Sequence, residues 1–413
     1  MYQSVKRGEK LFFSLIVTFL FLGASDFINR YYVCVFLAFF LFVITPGRRF
    51  RLNTSFAVLM LLSTSVVLFN PISTTTVTNM IKPFAYPLCY LMGFSLLSVR
   101  KRAEDGVQNE RELHRLFFWL SVGPMIHFAL NMFANESGGD SRREELIDFW
   151  TGREMSATGQ AALVCLMIAL LSAYLFSPVG KKKKIFAILS LVLILAYNLV
   201  LAGRTIFLLA GIMILVAAFY FGIEKKKFWK IFFIITFIVI LLLVLFSLDF
   251  LGIETAMENS NFYNRFFGES GTQEIDSDAR MAHKLAYITR MDSHFWGGGH
   301  IREEYGHSAH DLYLDTYDES GVFAFLAIGC YILITLSRMI MCVRNKRFSF
   351  ATRQMLLCFY VAVNIQFWLE PIMRGMPWLL ATYCFLDGVV THFLAEDRDA
   401  TVFVGQIKSE VVG

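Results

Sequence analysis

The chain of 413 residues is 56% hydrophobic and only 17% charged, with a mean hydropathy of +0.55 and a formal net charge of +5. A soluble domain carries about 25% charged residues, so the composition excludes an ordinary soluble enzyme and points to an all-α, polytopic membrane protein. The cysteines Cys34, Cys89, Cys165, Cys330, Cys342, Cys358 and Cys384 lie mostly in apolar runs without CxxC spacing, which argues against a disulfide framework or a zinc site.

In chain order, the first residues, Met1 to Lys10, precede an apolar run and mimic a signal peptide. The cleavage pattern at Gly23-Ala24-Ser25 is poor, so the run reads as a first span. Apolar runs of roughly 18 residues suit helices that cross a bilayer. They predict about twelve spans, near 11–27, 31–46, 55–70, 79–98, 114–133, 157–177, 185–202, 205–222, 228–248, 319–341, 352–369 and 375–394. The chain accordingly divides into spans at 1–248, one large extracytoplasmic loop with short helices at 249–318, further spans at 319–396 and a cytoplasmic tail at 397–413.

Basic clusters fall at every second connection: Lys6/Arg7/Lys10, Arg48/Arg49/Arg51, Arg100/Lys101/Arg102, Lys181 to Lys184, Lys225 to Lys227 and Arg344/Lys346/Arg347. The positive-inside rule makes these loops cytoplasmic. Basic charge spread this way speaks for topology and gives no reason to expect a nucleic acid partner. The other loops then face outward, among them 134–156 with mixed charge and the long loop 249–318, which is too long for a mere connector.

Candidate chemistry gathers on that outer side. Arg204 stands in Leu-Ala-Gly-Arg-Thr between two apolar helices, where a lone Arg needs a partner, a job or a snorkelling route to water. Glu370 and Arg374 flank the last outer turn beside Pro371 and Pro377, as an ion pair or as cavity-lining groups. Within the long loop, apolar Met281, Leu285 and Ile288 recur at helical spacing, which places Arg280, His283 and Lys284 on one face. That cationic face suits a diphosphate, or is simply solvated. The Gly297-Gly298-Gly299 run either presents backbone N–H groups to an anion or is a flexible turn. It lacks the strand–GxGxxG–helix context of a nucleotide fold. His307 and His310 have no evident third metal ligand at useful spacing. A His acting as general base on an acceptor hydroxyl, oriented by Asp311 or Asp315, is the sharper reading.

Gly-Arg after one span, then Asp-x-Arg, a Gly-rich turn and His310-Asp311-x-x-Leu followed by Glu319-x-Gly, resembles the O-antigen ligase and O-antigen polymerase superfamily, clearest over residues 200–330. These are integral-membrane glycosyltransferases of the C-type architecture. The resemblance implies that Arg204 and Arg280 bind a diphosphate and that His310 is catalytic, because Asp311-Leu-Tyr-Leu follows His310 and not His307. Where the family usually has Asn after the His, this chain has Asp311. Lys284, His307, Gly298, Glu370 and Arg374 follow as substrate-binding candidates.

The implied donor is a glycan on undecaprenyl diphosphate at the outer face of a bacterial cytoplasmic membrane. The implied acceptor is a second lipid-linked repeat unit (polymerase) or lipid A core (ligase), and polymerase is the preferred reading. No cofactor is expected, and the two Arg residues would take the part of a divalent cation in a metal-independent, inverting transfer. Membrane lipid and a chain-length regulator are expected partners. A lipid-linked glycan flippase or other transporter is the alternative of another class.

Overall fold

The computed structural model describes residues 2–45, 50–70, 75–96, 106–136, 146–155, 157–201, 203–247 and 279–412, and it is all-α. The first part comprises α1 (Tyr2–Ala24), α2 (Tyr31–Ile44), α3 (Thr54–Phe69), α4 (Val77–Ile81), α5 (Ala85–Leu96) and α6 (Gly106–Glu136). It continues with α7 (Ala157–Phe176), α8 (Lys181–Leu201), α9 (Arg204–Glu224) and α10 (Phe228–Ser247). After the long loop come α11 (Ala279–Ile288), α12 (His300–Tyr305), α13 (Leu312–Arg344), α14 (Phe350–Leu369), α15 (Ile372–Gly375) and α16 (Pro377–Val412). Among the described residues, the one element of β pairing is an isolated bridge between Ile147 and Glu154.

Every predicted span contains a helix. Among the described residues, five stretches are long and apolar enough to cross a membrane: Glu110–Asn135, Gly159–Phe176, Arg204–Glu224, Leu312–Arg344 and Pro377–Ala395. Shorter apolar helices stand beside them at Leu11–Ala24, Tyr31–Ile44, Thr54–Phe69 and Phe228–Phe237. Helices suit such sequences because a backbone in lipid must satisfy its own N–H and C=O groups.

One predicted span is corrected, and two other helices run beyond their predicted limits. The span at 79–98 is broken into α4, a 3-10 turn at Lys82–Phe84 and α5, because Pro83 cannot donate to a helix ladder. The helix that holds the span at 319–341 starts earlier, at Leu312, where the Asp311 carboxylate accepts the Leu314 amide at 2.7 Å, and it is interrupted at Gly321 near the predicted start of the span. Beyond residue 396 the chain continues α16 as helix to Val412.

α5 and α16 cross at two glycines. A Cβ on Gly93 would stand 2.0 Å from the Phe385 carbonyl oxygen, and one on Gly388 would stand 2.3 Å from that of Tyr90. Small residues at such crossings let backbones approach and let dispersion hold helices that lipid would otherwise solvate equally well. Six of the cysteines are buried as small packing groups, and Cys330 is exposed.

Charge also lies inside the bundle. Arg338 of α13 and Asp387 of α16 form a buried ion pair inside the bundle. Tyr331 and Tyr360 donate to the two Asp387 oxygens at 2.9 and 2.8 Å, and Arg338 also donates to Ser55 Oγ. Each residue lies alone in its own apolar helix, so its partner is visible only in the fold.

The bundle has two distinct ends. At one, Glu224 pairs with Arg353 at 2.6 Å, and Glu110 accepts the Ser349 amide at 2.9 Å. At the other lie α11, α12, the start of α13 and the end of α14, and these build the candidate site.

Candidate functional site

His310 stands in the left-handed backbone region, with φ of 56°. For a residue with a Cβ this conformation costs on the order of 1 kcal/mol, so something must hold it. The holder is Asp315, one turn into α13. Its Oδ1 accepts the Ala309 amide at 2.9 Å and its Oδ2 accepts the Asp311 amide at 3.2 Å. The amides on both sides of His310 are therefore fixed by one buried carboxylate. Asp315 acts on the backbone that carries the ring, a role that sequence spacing alone left undecided.

Asp311 has a different task. Besides capping α13, its Oδ2 lies 3.3 Å from Lys284 Nζ. Lys284 also donates to the Trp368 carbonyl at 2.7 Å, with its ammonium 5.6 Å from the Trp368 ring centre. Lys284, expected to bind substrate, instead joins α11 to the start of α13 and the end of α14. Burial pushes the Asp311 carboxyl up from its ordinary range, while the Leu314 amide and Lys284 oppose that shift.

The fold brings a third histidine to the pair. The His283 ring centre is 4.9 Å from that of His307, 6.4 Å from that of His310 and 5.5 Å from that of Tyr305. Desolvation and the neighbouring His307 hold the His283 imidazole below its usual range. Among the described residues no group of three or more His, Cys, Asp or Glu is disposed to hold a metal ion. His307 is exposed and His310 half-buried. On α11, Met281, Leu285 and Ile288 form an exposed apolar stripe, while Tyr287 is buried and donates to the His307 carbonyl at 2.8 Å.

The glycine run is a structural wedge. Gly297, Gly298 and Gly299 all have positive φ, and Gly321 of α13 has φ of 75° inside its helix. A Cβ on Gly297 would stand 2.4 Å from the Gly321 nitrogen. The Gly298 and Gly299 amides donate to the Glu319 and Asp318 carbonyls at 3.3 and 2.7 Å. Those N–H groups, including that of Gly298, are thus spent on α13 and do not cradle an anion. Asp318 Oδ1 accepts the Ile301 amide at 2.9 Å, and Arg302 pairs with Glu319 at 3.0 Å.

The remaining candidates fall at the same end. Arg204 opens α9 and is half-buried, and Asn198 donates to the Gly203 carbonyl at 2.7 Å to shape the turn before it. It lies about 30 Å of helix from Glu224, which meets Arg353 at the opposite end. Glu370 is buried at the C-cap of α14, and Arg374 is exposed on α15, close enough for its charge to act on Glu319. Arg280 lies in the first turn of α11, one turn before Lys284. Ser277 and Asp278, which precede α11, lie outside the described residues.

Sequence reasoning missed the His127–Asp148 pair, at 2.7 Å and buried. In sequence Asp148 is one charge among several in the mixed loop 134–156, and its partner lies in the apolar part of α6. No protein-family model matches the chain, and comparison with curated proteins finds no match.

Proposed function

We propose that the protein is an integral-membrane glycosyltransferase of the O-antigen polymerase and ligase type. In this reading it crosses a bacterial cytoplasmic membrane about twelve times and carries the His310 end outside. It transfers a glycan from undecaprenyl diphosphate to the next lipid-linked repeat unit. The observation that carries the reading is His310 itself. A half-buried imidazole is held in a costly backbone conformation by Asp315, beside the cationic helix α11 and above apolar helices. Strain of this kind persists where the surrounding structure over-determines it, often at a working site.

In the proposed reaction the acceptor hydroxyl oxygen bonds to the anomeric carbon as its bond to the diphosphate oxygen breaks. The diphosphate leaves with the bonding electrons, and His310 takes the hydroxyl proton. Arg280 and Arg204 hold the departing charge. Lys284 acts on the site through Asp311 rather than on the substrate.

The test is transfer by the purified protein in nanodiscs, with a lipid-linked oligosaccharide as donor and acceptor. Arg280→Ala and His310→Asn abolish transfer, and His307→Ala retains much of it. A normal chain-length distribution in cells carrying only Arg280→Ala overturns the reading. Transfer to lipid A core in place of a repeat unit converts polymerase to ligase. Asp276-Ser277-Asp278 has the spacing of an Asp-x-Asp cation site and lies outside the described residues, so sensitivity to a chelator decides the expected metal independence. A reporter fused after residue 182 reads cytoplasmic and one after residue 270 reads exterior. The buried Arg338–Asp387 pair favours a transporter. Flipping of a fluorescent lipid-linked glycan without transfer would establish that alternative.

A further inference from the structure

A second polar cluster lies where α1, α6 and the segment 146–155 meet. Glu110 marks the opposite end of α6, and His127 is about 25 Å of helix beyond it. The cluster therefore belongs to the same end of the bundle as His310. The segment 146–155 is tightly built. Asn135 accepts the Ile147 amide at 2.8 Å and donates to the Ile147 carbonyl at 2.9 Å, while Asn131 accepts the Phe149 amide at 2.8 Å. Asp148 Oδ1 accepts both the amide and the hydroxyl of Thr151 at 2.9 Å.

That construction fixes Asp148 against His127, with Nε2 to Oδ2 at 2.7 Å and His127 only 1% exposed. Facing a carboxylate, Nε2 carries the proton, and Nδ1 is the ring's remaining polar atom. Nδ1 is buried and has no hydrogen-bond partner. Two further buried polar atoms nearby are in the same state: Nε1 of Trp150 and Oδ1 of Asp26. The Trp150 ring centre is 5.7 Å from that of His127 and 5.0 Å from that of Phe27, the neighbour of Asp26. Asp26 itself is fixed in the left-handed backbone region, with φ of 49°. Trp150 is half-buried and Phe149 is exposed, so aromatic rings flank the buried polar atoms.

A buried donor or acceptor left unmade costs about 1–3 kcal/mol, and three in one place call for a ligand that supplies both senses. Trp150 Nε1 needs an acceptor, and His127 Nδ1 and Asp26 Oδ1 each need a polar partner. Hydroxyl groups meet all three needs, and a ring with an apolar C–H face also suits the flanking aromatic rings. We propose that His127, Asp148, Trp150 and Asp26 form a second binding site, which takes one neutral pyranose residue. The name sugar rests on the glycosyltransferase reading above, under which this site would hold a residue of the acceptor glycan. The polar site rests on its own atoms.

The experiment is saturation-transfer NMR on the full chain in nanodiscs, with methyl pyranosides of glucose, galactose, mannose and their N-acetylamino forms as probes. At least one probe shows transfer to its ring C–H protons. Trp150→Phe, which keeps the ring and loses only the N–H, weakens binding several-fold, and His127→Gln removes it. His310→Asn leaves binding intact while abolishing glycan transfer. Thermal melting of each variant separates lost binding from lost fold. Absence of transfer from every probe in the wild-type chain overturns the proposal, as does binding unchanged in both variants; either result means that water alone fills the cluster. Pyranoside binding in a chain with no transferase activity keeps this site and removes the glycosyltransferase reading.

Discussion

The carboxylate of Asp315 holds His310 in place through the backbone, by accepting the amides of Ala309 and Asp311 at 2.9 and 3.2 Å. The residue that aims the imidazole is therefore recognisable from its backbone contacts. Replacing Asp315 with Asn turns one acceptor into an NH2 group facing an N–H. Misplacement of a catalytic group by about an ångström costs roughly a hundredfold in rate. Asp315→Asn should lower glycan transfer by about that factor while donor binding stays near wild type. Transfer assayed at saturating donor checks it, and an unchanged rate would remove Asp315 from its positioning role.

The docking of α11 should depend on pH through His283. Its folded-state pKa lies below the usual 6.5 because of desolvation and His307, so the unfolded or undocked state binds the extra proton. The stability of this contact is present above about 6.5 and declines as pH falls through that value. Asp311 works in the opposite sense and at lower pH, because its carboxyl is raised from 3.8. Hydrogen exchange of the α11 amides should accelerate between neutrality and mild acid, and His283→Gln should flatten that response.

The glycine wedge makes a graded prediction. Gly297→Ala combines positive φ with a contact of 2.4 Å to the Gly321 backbone, whereas Gly306→Ala has positive φ and nothing within 4 Å. Gly306→Ala should cost about 1 kcal/mol, and Gly297→Ala should cost more, on the order of 2–3 kcal/mol. Thermal melting of the two purified variants in the same detergent gives the order, and equal shifts would refute the wedge.

For Arg338 and Asp387, removing one partner leaves a buried charge alone. Arg338→Met or Asp387→Leu should each destabilise by about 3–5 kcal/mol, and the double variant should recover most of that loss. A double variant no better than either single would show that the tyrosines around Asp387 need the charge as well.

The helical frame is legible in the sequence wherever apolar runs are long and bounded by basic residues, as at Lys181 and Arg344. It becomes illegible where a single proline intervenes, as at Pro83, because hydropathy averages over the break. His310 and the α11 face are readable as local patterns. Their partners are not, since Asp311 reaches back 27 residues to Lys284 and Asp387 reaches 49 residues to Arg338. A lone His127 in an apolar run carries no local mark of its pairing with Asp148.

Gly321 interrupts α13 just above its passage through the bundle, and the wedge at Gly297 locks the turns on the near side to the preceding loop. The end of the bundle that carries His310 is thus joined to the helices by backbone at this wedge and by side chains at Lys284–Trp368, Thr316–Met373 and Phe69–Trp296. Exchanging residues 279–320 between related chains therefore requires Phe69, Trp368 and Met373 to be exchanged with them.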